Sequence, residues 1–488
     1  MEYVIIFANW QIWLGMVFGV GVGIIIGALP GLTPAVGVGL LVPITFGMDP
    51  VVGLIILGGI YIGAVYGGAI TAILLNTPGE PGNIVTTLDG YPMARKGEGS
   101  RALGIAATSS CIGGLFSVII LLLMAPPLAR IALKFGPAEY FTVALFGLTV
   151  IVSFSQRSLL KGIISAIIGL VLGIVGQDPL RGYPRFAFFP TLVGGISLIP
   201  CVIGLLCFSQ GLELTLEKKE KIAEEEAGRL GFFNSFRDVI RQKVNLLRSS
   251  IIGTIVGIVP GAGLAMGAVI AYNEARRFSK NKDKFGKGAS EGIVASEAAN
   301  NAVVGGSLVP LLTLGVPGNA VSAIFLGGLI IQGLPIGPEL FSKYGAIVYP
   351  FLIGLIIAHF VMLIMGIWGV RIFSKTLKAP IRFIAPSICV LSVIGSYSVH
   401  NDIADIWIMV FFGLLGYLMN KLGFSTVALI LGLILGPIAE ISLQQALLIS
   451  RGSLIFLNTP ICIFMLSLSV LSVVLSLFFE KKGVLKKR

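Results

Sequence analysis

Within long apolar stretches, Asn76-Thr77-Pro78-Gly79-Glu80-Pro81-Gly82 gathers helix breakers together with amide, hydroxyl and carboxyl side chains, and Gly315-Val316-Pro317-Gly318-Asn319 does something similar later in the chain. Pro30-Gly31 and Pro260-Gly261 are two simpler breaks. Proline removes a backbone donor and glycine admits unwound conformations, so each break frees main-chain groups. At membrane depth those groups must be satisfied inside protein or in a wet cavity. Freed carbonyls can coordinate a cation, and freed N–H groups at the start of a half-helix can hold a carboxylate. Asn76, Thr77, Pro78, Gly79 and Gly82, with Pro317, Gly318 and Asn319, are therefore candidate substrate- or ion-binding residues, and Pro30, Gly31, Pro260 and Gly261 are candidate helix breaks that shape the site. Close packing is the plainer explanation for isolated glycine-rich runs such as 19–27. It explains less of the two mixed segments, which recur.

A second polar run, SEGIVASEAANNAV, contains Glu291, Ser296, Glu297, Asn300 and Asn301 just before an apolar stretch. Ionisable groups near membrane depth are expensive and usually functional. Asn300 and Asn301 offer both donors and acceptors, suited to a carboxylate or to a sodium ion. The competing explanation is a helix start at the cytoplasmic surface, with Glu291 and Glu297 balancing basic residues just upstream; for Glu291 that explanation is the better one.

The elements that position these residues are membrane helices. Of the 488 residues, 56% are hydrophobic and 12% charged, against roughly a quarter charged in a soluble domain. Apolar runs of about 17 to 25 residues, enough to cross hydrocarbon, recur from end to end. The sequence therefore predicts an all-α polytopic membrane protein with about 10–12 transmembrane or re-entrant helices, some of them Pro/Gly-broken hairpins. The opening MEYVIIFANW has no Lys or Arg, so no cleaved signal is expected. The net charge of +12 lies in short clusters between apolar runs, where it sets topology and does not point to nucleic acid. The 5 cysteines sit in apolar runs without metal or redox spacing and read as small core residues, and His359 and His400 lack a metal-binding cluster.

The chain contains an internal repeat. IIIGALPGLTPAVGVGLL at 24–41 aligns without gaps with TIVGIVPGAGLAMGAVIA at 254–271, and GGAITAILLNTPGEPGNIVT echoes GGSLVPLLTLGVPGNAVS with a slip that leaves Pro317 matched to either Pro78 or Pro81. A first membrane repeat at 1–212, a cytoplasmic or interfacial linker at 213–248 with an amphipathic basic stretch, and a second membrane repeat at 249–488 follow. Equivalent loops contrast in their content of Lys and Arg. The loop after the first element has no Lys or Arg, whereas its counterpart holds Arg276, Arg277, Lys280, Lys282, Lys284 and Lys287; after the second element the bias reverses, with Arg95, Lys96 and Arg101 against Lys343. Two inverted-topology repeats with a cytoplasmic C-terminus are the expected arrangement.

At these residues the sequence resembles the large membrane subunit of the tripartite tricarboxylate transporters of bacteria. The motifs that carry the resemblance are GALPGLTPAVGVGLLVP, NTPGEPG followed by DGYPMARKGEGSRALG, EAANNAVVGG, and LTLGVPGNAVSAIFLGGLIIQGLPIGPELF, in that order across nearly the whole chain. The resemblance implies an inner-membrane permease that works with a small membrane subunit and an extracytoplasmic solute-binding protein. It implies uptake of citrate-like or other carboxylates driven by an ion gradient, commonly sodium, and no cofactor beyond the transported sodium or proton. The absence of a GxxxxGK[ST] phosphate loop agrees with a drive other than ATP. Glu80 departs from the family pattern, where a neutral residue such as Thr is expected. Ionised, it would repel a tricarboxylate. It therefore faces the cation, or is protonated and couples to protons, or the ligand is less acidic than citrate.

Two other function classes are weaker. An intramembrane enzyme needs paired acids with a nucleophile or metal partner, and Glu291/Glu297 and Asp402/Asp405 have neither at useful spacing. A passive anion channel would need a ring of basic residues in the spans, which the sequence lacks.

Overall fold

The computed structural model describes residues 6–29, 31–153, 158–216, 232–368, 381–450 and 455–481. Among these residues, 7 helices are long and apolar enough to cross a membrane, and further apolar helices of 10–17 residues accompany them. The all-α, multi-pass expectation holds. The first part of the chain forms α1 (Trp10–Gly27), α2 (Pro34–Leu41), α3 (Pro50–Leu75), α4 (Ile84–Met93), α5 (Gly99–Ala132), α6 (Pro137–Ser153), α7 (Leu159–Gly173) and α8 (Leu198–Leu216). The second part forms α9 (Phe232–Arg241), α10 (Lys243–Ile258), α11 (Gly263–Phe278), α12 (Ser290–Leu314), α13 (Ala320–Ile331), α14 (Glu339–Lys343), α15 (Gly345–Trp368), α16 (Ile381–His400), α17 (Ile403–Leu422), α18 (Thr426–Ser450) and α19 (Pro460–Lys481).

The same order of helix, break, helix occurs in both parts. α1 packs along α3 and α10 packs along α12, and in each case glycine permits the approach. A Cβ on Gly23 or Gly27 would meet the backbone of Ile60 or Ala64, and one on Gly253 or Gly257 the backbone of Ala299 or Val303. In a bilayer, where water does not drive helices together, such small-residue contacts supply the packing. α3 begins with Pro50 at its first turn and with Asp49 accepting from the Val51 and Val52 N–H groups, and the helix is buried along its span. It ends at Asn76, held in the left-handed region with φ 53°. α12 ends at Gly315, likewise left-handed with φ 74°. Only glycine and asparagine take this conformation routinely.

These two caps fix a register that the sequence leaves open. Each is followed two positions later by proline and three later by glycine, so Pro78 corresponds to Pro317, Gly79 to Gly318 and Glu80 to Asn319. The glycines also make matching contacts: a Cβ on Gly79 would meet the carbonyl of Gly27, and one on Gly318 the carbonyl of Gly257. Gly27 and Gly257 are equivalent in the gapless alignment of 24–41 with 254–271.

The remaining helices form two groups beside this core. α6, α7, α18 and α19 pack on one another, and α8 packs with α16 and α17, meeting the core chiefly through α2. Outside the spans, a short antiparallel pair, Gly176–Gln177 with Pro184–Arg185, is tied to α18 by the Arg185–Glu440 ion pair. The N–H groups of Arg181 and Leu180 hold the Asp178 carboxyl in this hairpin below the usual carboxylate range. The segment expected as a linker, 213–248, is entered by α8 and contains α9 and the start of α10; residues 217–231 lie outside the described residues. α9 is the amphipathic stretch, with Val239 buried, Phe236 and Ile240 exposed, and Asp238 paired at 2.8 Å with Arg101 of α5. Trp10, Trp368 and Trp407 are exposed on the apolar surface, as aromatic residues of a membrane belt are.

Candidate functional site

α3 and α12 are the two helices that run into the mixed breaks, and the breaks meet them crosswise. The first break meets α12. Glu80 Oε1 accepts from Asn300 Nδ2 at 2.7 Å, Asn83 Nδ2 donates to Glu297 Oε1 at 3.1 Å, and Thr86 Oγ1 donates to the same Glu297 oxygen at 2.6 Å. Thr86 also lies 2.8 Å from Ser296, and Ser110 of α5 donates to Glu297 Oε2 at 3.0 Å. The second break meets α3: Asn319 Nδ2 donates to the Tyr61 hydroxyl at 2.8 Å, and that hydroxyl lies 3.2 Å from Ser307 Oγ.

Both breaks also open half-helices. α4 follows the turn at Pro81–Asn83, and α13 starts at Asn319, which accepts from the Ser322 N–H while Ser322 Oγ accepts from the Asn319 N–H. The N-terminus of such a half-helix carries a partial positive charge, worth about 0.3–1 kcal/mol to a nearby anion at exposed sites and more when buried. At the first break a carboxylate of the chain, Glu80, stands at the head of the turn; at the second the equivalent residue is the neutral Asn319.

The polar atoms here are buried. Glu80 is 2% exposed, and Asn83, Thr86, Glu297, Asn300 and Asn301 are 0% exposed. Several lack a hydrogen-bond partner in the protein: Glu80 Oε2, Asn83 Oδ1, Asn300 Oδ1 and both polar atoms of Asn301. A buried polar atom left unpaired costs about 1–3 kcal/mol, so a concentration of them marks a place kept for function and not for stability. Missing side chains keep the space open. A Cβ on Gly82 would meet Asn300 Oδ1 and Glu80 Oε1, and one on Gly68 would meet Asn83 Oδ1 and Glu80 Cγ.

Of the residues expected from sequence, Gly79, Gly82 and Asn300 lie in or against this buried cluster, Asn301 is buried beside Asn300 on α12, and Pro317, Gly318 and Asn319 are buried at the second break. Asn76 and Thr77 are exposed at the turn, with Pro78 partly so, and these three stand outside the hydrogen-bonded cluster. Gly31 and Gly261 take positive φ at their breaks, of 88° and 82°, and Pro260 is buried beside Gly261; Pro30 lies outside the described residues. The Gly261 N–H donates to the Gly318 carbonyl at 2.7 Å, which ties the simpler break to the mixed one.

Glu297 differs from the surface-balancing explanation: it is enclosed by Asn83, Thr86 and Ser110, while Glu291 keeps to the first turn of α12, bonded to Ser279. Sequence reasoning missed Tyr61, Asn83, Thr86 and Ser110. A phenol in the middle of an apolar helix is the one signal that pointed to Tyr61. Asp89 was also missed. Buried in the middle of α4, it accepts from the N–H groups of Gly286, Gly288 and Ala289 and from the Tyr272 hydroxyl at 2.8–2.9 Å, clamping α4 to the start of α12. His359 is a buried histidine of α15 with Nδ1 2.8 Å from the Leu355 carbonyl, and His400 pairs with Asp405 at the α16–α17 turn. Among the described residues no group of three or more His, Cys, Asp and Glu is placed to hold a metal ion.

A multi-pass bundle whose broken helices enclose a buried polar cluster defines a membrane transport protein. Within that class the chain belongs to the tripartite tricarboxylate transporter TctA family, whose model matches residues 14–431. It is 37% identical over 464 residues to an uncharacterised 52.8 kDa protein of Agrobacterium vitis from the TAR-I ttuC' 3' region, covering 94% of this chain and 92% of that protein. A second A. vitis protein, from the TAR-II ttuC' 3' region, is 34% identical over 226 residues, 46% of this chain and 93% of its own length. Among solved structures, the transmembrane domain of a cyanobacterial bicarbonate transporter, BicA, aligns with 14% identity over 85% of this chain and 98% of that one, with a TM-score of 0.19.

Proposed function

We propose that this chain is the large permease subunit of a binding-protein-dependent carboxylate importer in the cell inner membrane, driven by a sodium or proton gradient. The observation that carries the reading is the crosswise contact of the two breaks, Glu80 with Asn300 and Asn319 with Tyr61, at the centre of an apolar bundle. In such an arrangement the two repeats, 1–212 and 249–488, have inverted topology with the C-terminus in the cytoplasm, and the site lies where their broken helices meet. A carboxylate is held at the second break, where Pro317, Gly318 and Asn319 precede the N-terminus of α13 and no acidic residue competes for the helix dipole. Asn76, Thr77 and Pro78, exposed at the first turn, line its approach. The flanking helices α6–α8 and α16–α19 act as the scaffold against which the core exposes the site to one side and then the other. A small membrane subunit and an extracytoplasmic solute-binding protein complete the assembly.

The test is uptake of labelled citrate and a panel of smaller carboxylates into vesicles that hold this chain with its small subunit and binding protein, with and without an inward sodium or proton gradient. Gradient-dependent accumulation is expected. Flux that only equilibrates and ignores both gradients would favour a passive channel instead.

A further inference from the structure

We propose that Glu80 and Glu297, with the amide oxygens of Asn83 and Asn300, form a binding site for one monovalent cation, a sodium ion or a proton, at the junction of the first break with α12. Its role as the coupling site rests on the transport reading above; its existence as a cation site does not.

Charge is the first argument. Two carboxylates lie buried in neighbouring hydrogen-bonded groups on either side of Gly68, and among the described residues their side-chain partners are all uncharged: Asn300 for Glu80, and Asn83, Thr86 and Ser110 for Glu297. The titratable groups that face them from neighbouring elements add no positive charge. Tyr61 and Tyr66 come from α3, Asp89 of α4 is held by backbone N–H groups and Tyr272, and His359 of α15 packs on Gly114 of α5. Burying an ionised carboxylate without a counter-charge costs several kcal/mol, so a cation must accompany the pair.

The direction of the hydrogen bonds is the second. Asn300 spends its Nδ2 on Glu80 Oε1, and Asn83 spends its Nδ2 on Glu297 Oε1, which leaves both amide oxygens as unpaired acceptors beside the unpaired Glu80 Oε2. Gly68 and Gly82 keep clear the space these oxygens face, since a side chain at either would collide with them. Three unpaired carboxylate and amide oxygens gathered in one buried place suit a hard cation.

The third argument is asymmetry. In the register fixed by the two caps, Glu80 corresponds to Asn319 and Glu297 to Gly58, so neither carboxylate recurs at the second break. The negative charge is concentrated on one side of a duplicated framework, which separates a cation site from the anion site next to it.

The experiment uses the full-length protein in lipid nanodiscs without any carboxylate substrate. Binding of radioactive sodium is measured at about pH 6 and about pH 8, on either side of neutrality, alongside the infrared C=O band of protonated carboxyls, for wild type, Glu80→Gln and Glu297→Gln. Saturable sodium binding that weakens by about 10- to 100-fold in both variants identifies sodium. A protonated-carboxyl band that either variant removes, with no sodium binding, identifies the proton. Absence of both signals in wild type, or sodium binding unchanged in both variants, overturns the proposal. Should Glu297→Gln fail to fold, Asn83→Ala, which removes one amide oxygen and neither carboxylate, takes its place, with a smaller loss of binding expected and no loss overturning the site. Cation binding lost in the variants while their carboxylate uptake persists rejects the coupling role alone and leaves the cation site standing. Cation binding retained while the assembled transporter takes up no carboxylate rejects the substrate reading and leaves the site standing.

Discussion

Asn300 donates to Glu80 across 2.7 Å, and the register of the two breaks makes this contact the counterpart of Asn319 donating to Tyr61 across 2.8 Å. Glu80 and Asn319 are equivalent break residues; Tyr61 and Asn300 are equivalent positions on α3 and α12. Each break therefore reaches across to the long helix of the other part of the chain.

The second of these contacts gives the first prediction. Asn319→Ala removes both the cap of α13 and the donor to Tyr61, so a loss of about 1 kcal/mol in stability is expected from the cap alone. Tyr61→Phe keeps the cap and deletes only the hydroxyl. Carboxylate uptake by the assembled transporter should fall about tenfold or more in both, and thermal melting should fall in both, through the lost cap in Asn319→Ala and through the buried Asn319 Nδ2 left unpaired in Tyr61→Phe. Wild-type uptake by Tyr61→Phe would show that the contact is structural.

Asn301 separates function from stability in the opposite sense. Its side chain is buried and neither polar atom has a hydrogen-bond partner in the protein, so it weakens the fold where it stands. Asn301→Ala should therefore melt at or above the wild-type temperature and yet lose uptake, the trade-off expected of a site residue. Asn76→Ala should also lose uptake, but there the strained left-handed cap, worth about 1–2 kcal/mol for a residue with a Cβ, adds a fall in melting temperature that Asn76→Gly avoids. Full uptake by both alanine variants would remove these residues from the site.

The breaks were legible in the sequence because proline and glycine interrupt apolar periodicity locally, within a few residues. The same holds for Asn300 and Asn301, polar side chains in a run that continues as a membrane helix. What the sequence did not reveal is which distant groups meet. Asn83 and Glu297 are 214 positions apart, and Ser110 and Glu297 are 187 apart, so nothing in local spacing joins them. Glu297 looked like a surface charge because basic residues lie just upstream. Fewer than two helical turns separate Glu291, which stays at that end, from Glu297, which is already inside. The match of Pro317 to Pro78 needed backbone angles, since the sequence identities around PGN favoured Pro81.

Asp89 belongs to the same class of distant contact and yields a third prediction. Its Oδ1 accepts from three backbone N–H groups just ahead of α12, a combination that side-chain substitution cannot replace. Asp89→Ala should leave those buried donors unpaired and lower stability by about 1–3 kcal/mol or more, with Asp89→Asn intermediate because it keeps one acceptor oxygen. Thermal melting of the detergent-purified protein checks the order. Hydrogen exchange at residues 286–289 should rise in step with it, and an unchanged exchange pattern would mean that the clamp holds nothing.

The glycines at the helix crossings test whether the two halves are built alike. Gly27 lies against the carbonyl of Ala64 and Gly257 against that of Val303, and each also faces the glycine of its own mixed break, Gly79 or Gly318. A side chain at either position must push two helices and a break apart together, and overpacking of this kind costs about 1–3 kcal/mol or more. Gly27→Val and Gly257→Val should therefore destabilise to a similar degree, read as loss of folded protein on size-exclusion chromatography and a lower melting temperature. Gly47→Ala offers a contrast, because no atom lies within 4 Å of its Cβ position and only the cost of its φ of 77° is felt. If one of the two valine variants melted like wild type, the crossings would not be equivalent, and the matching contacts of Gly79 and Gly318 would be a coincidence of packing.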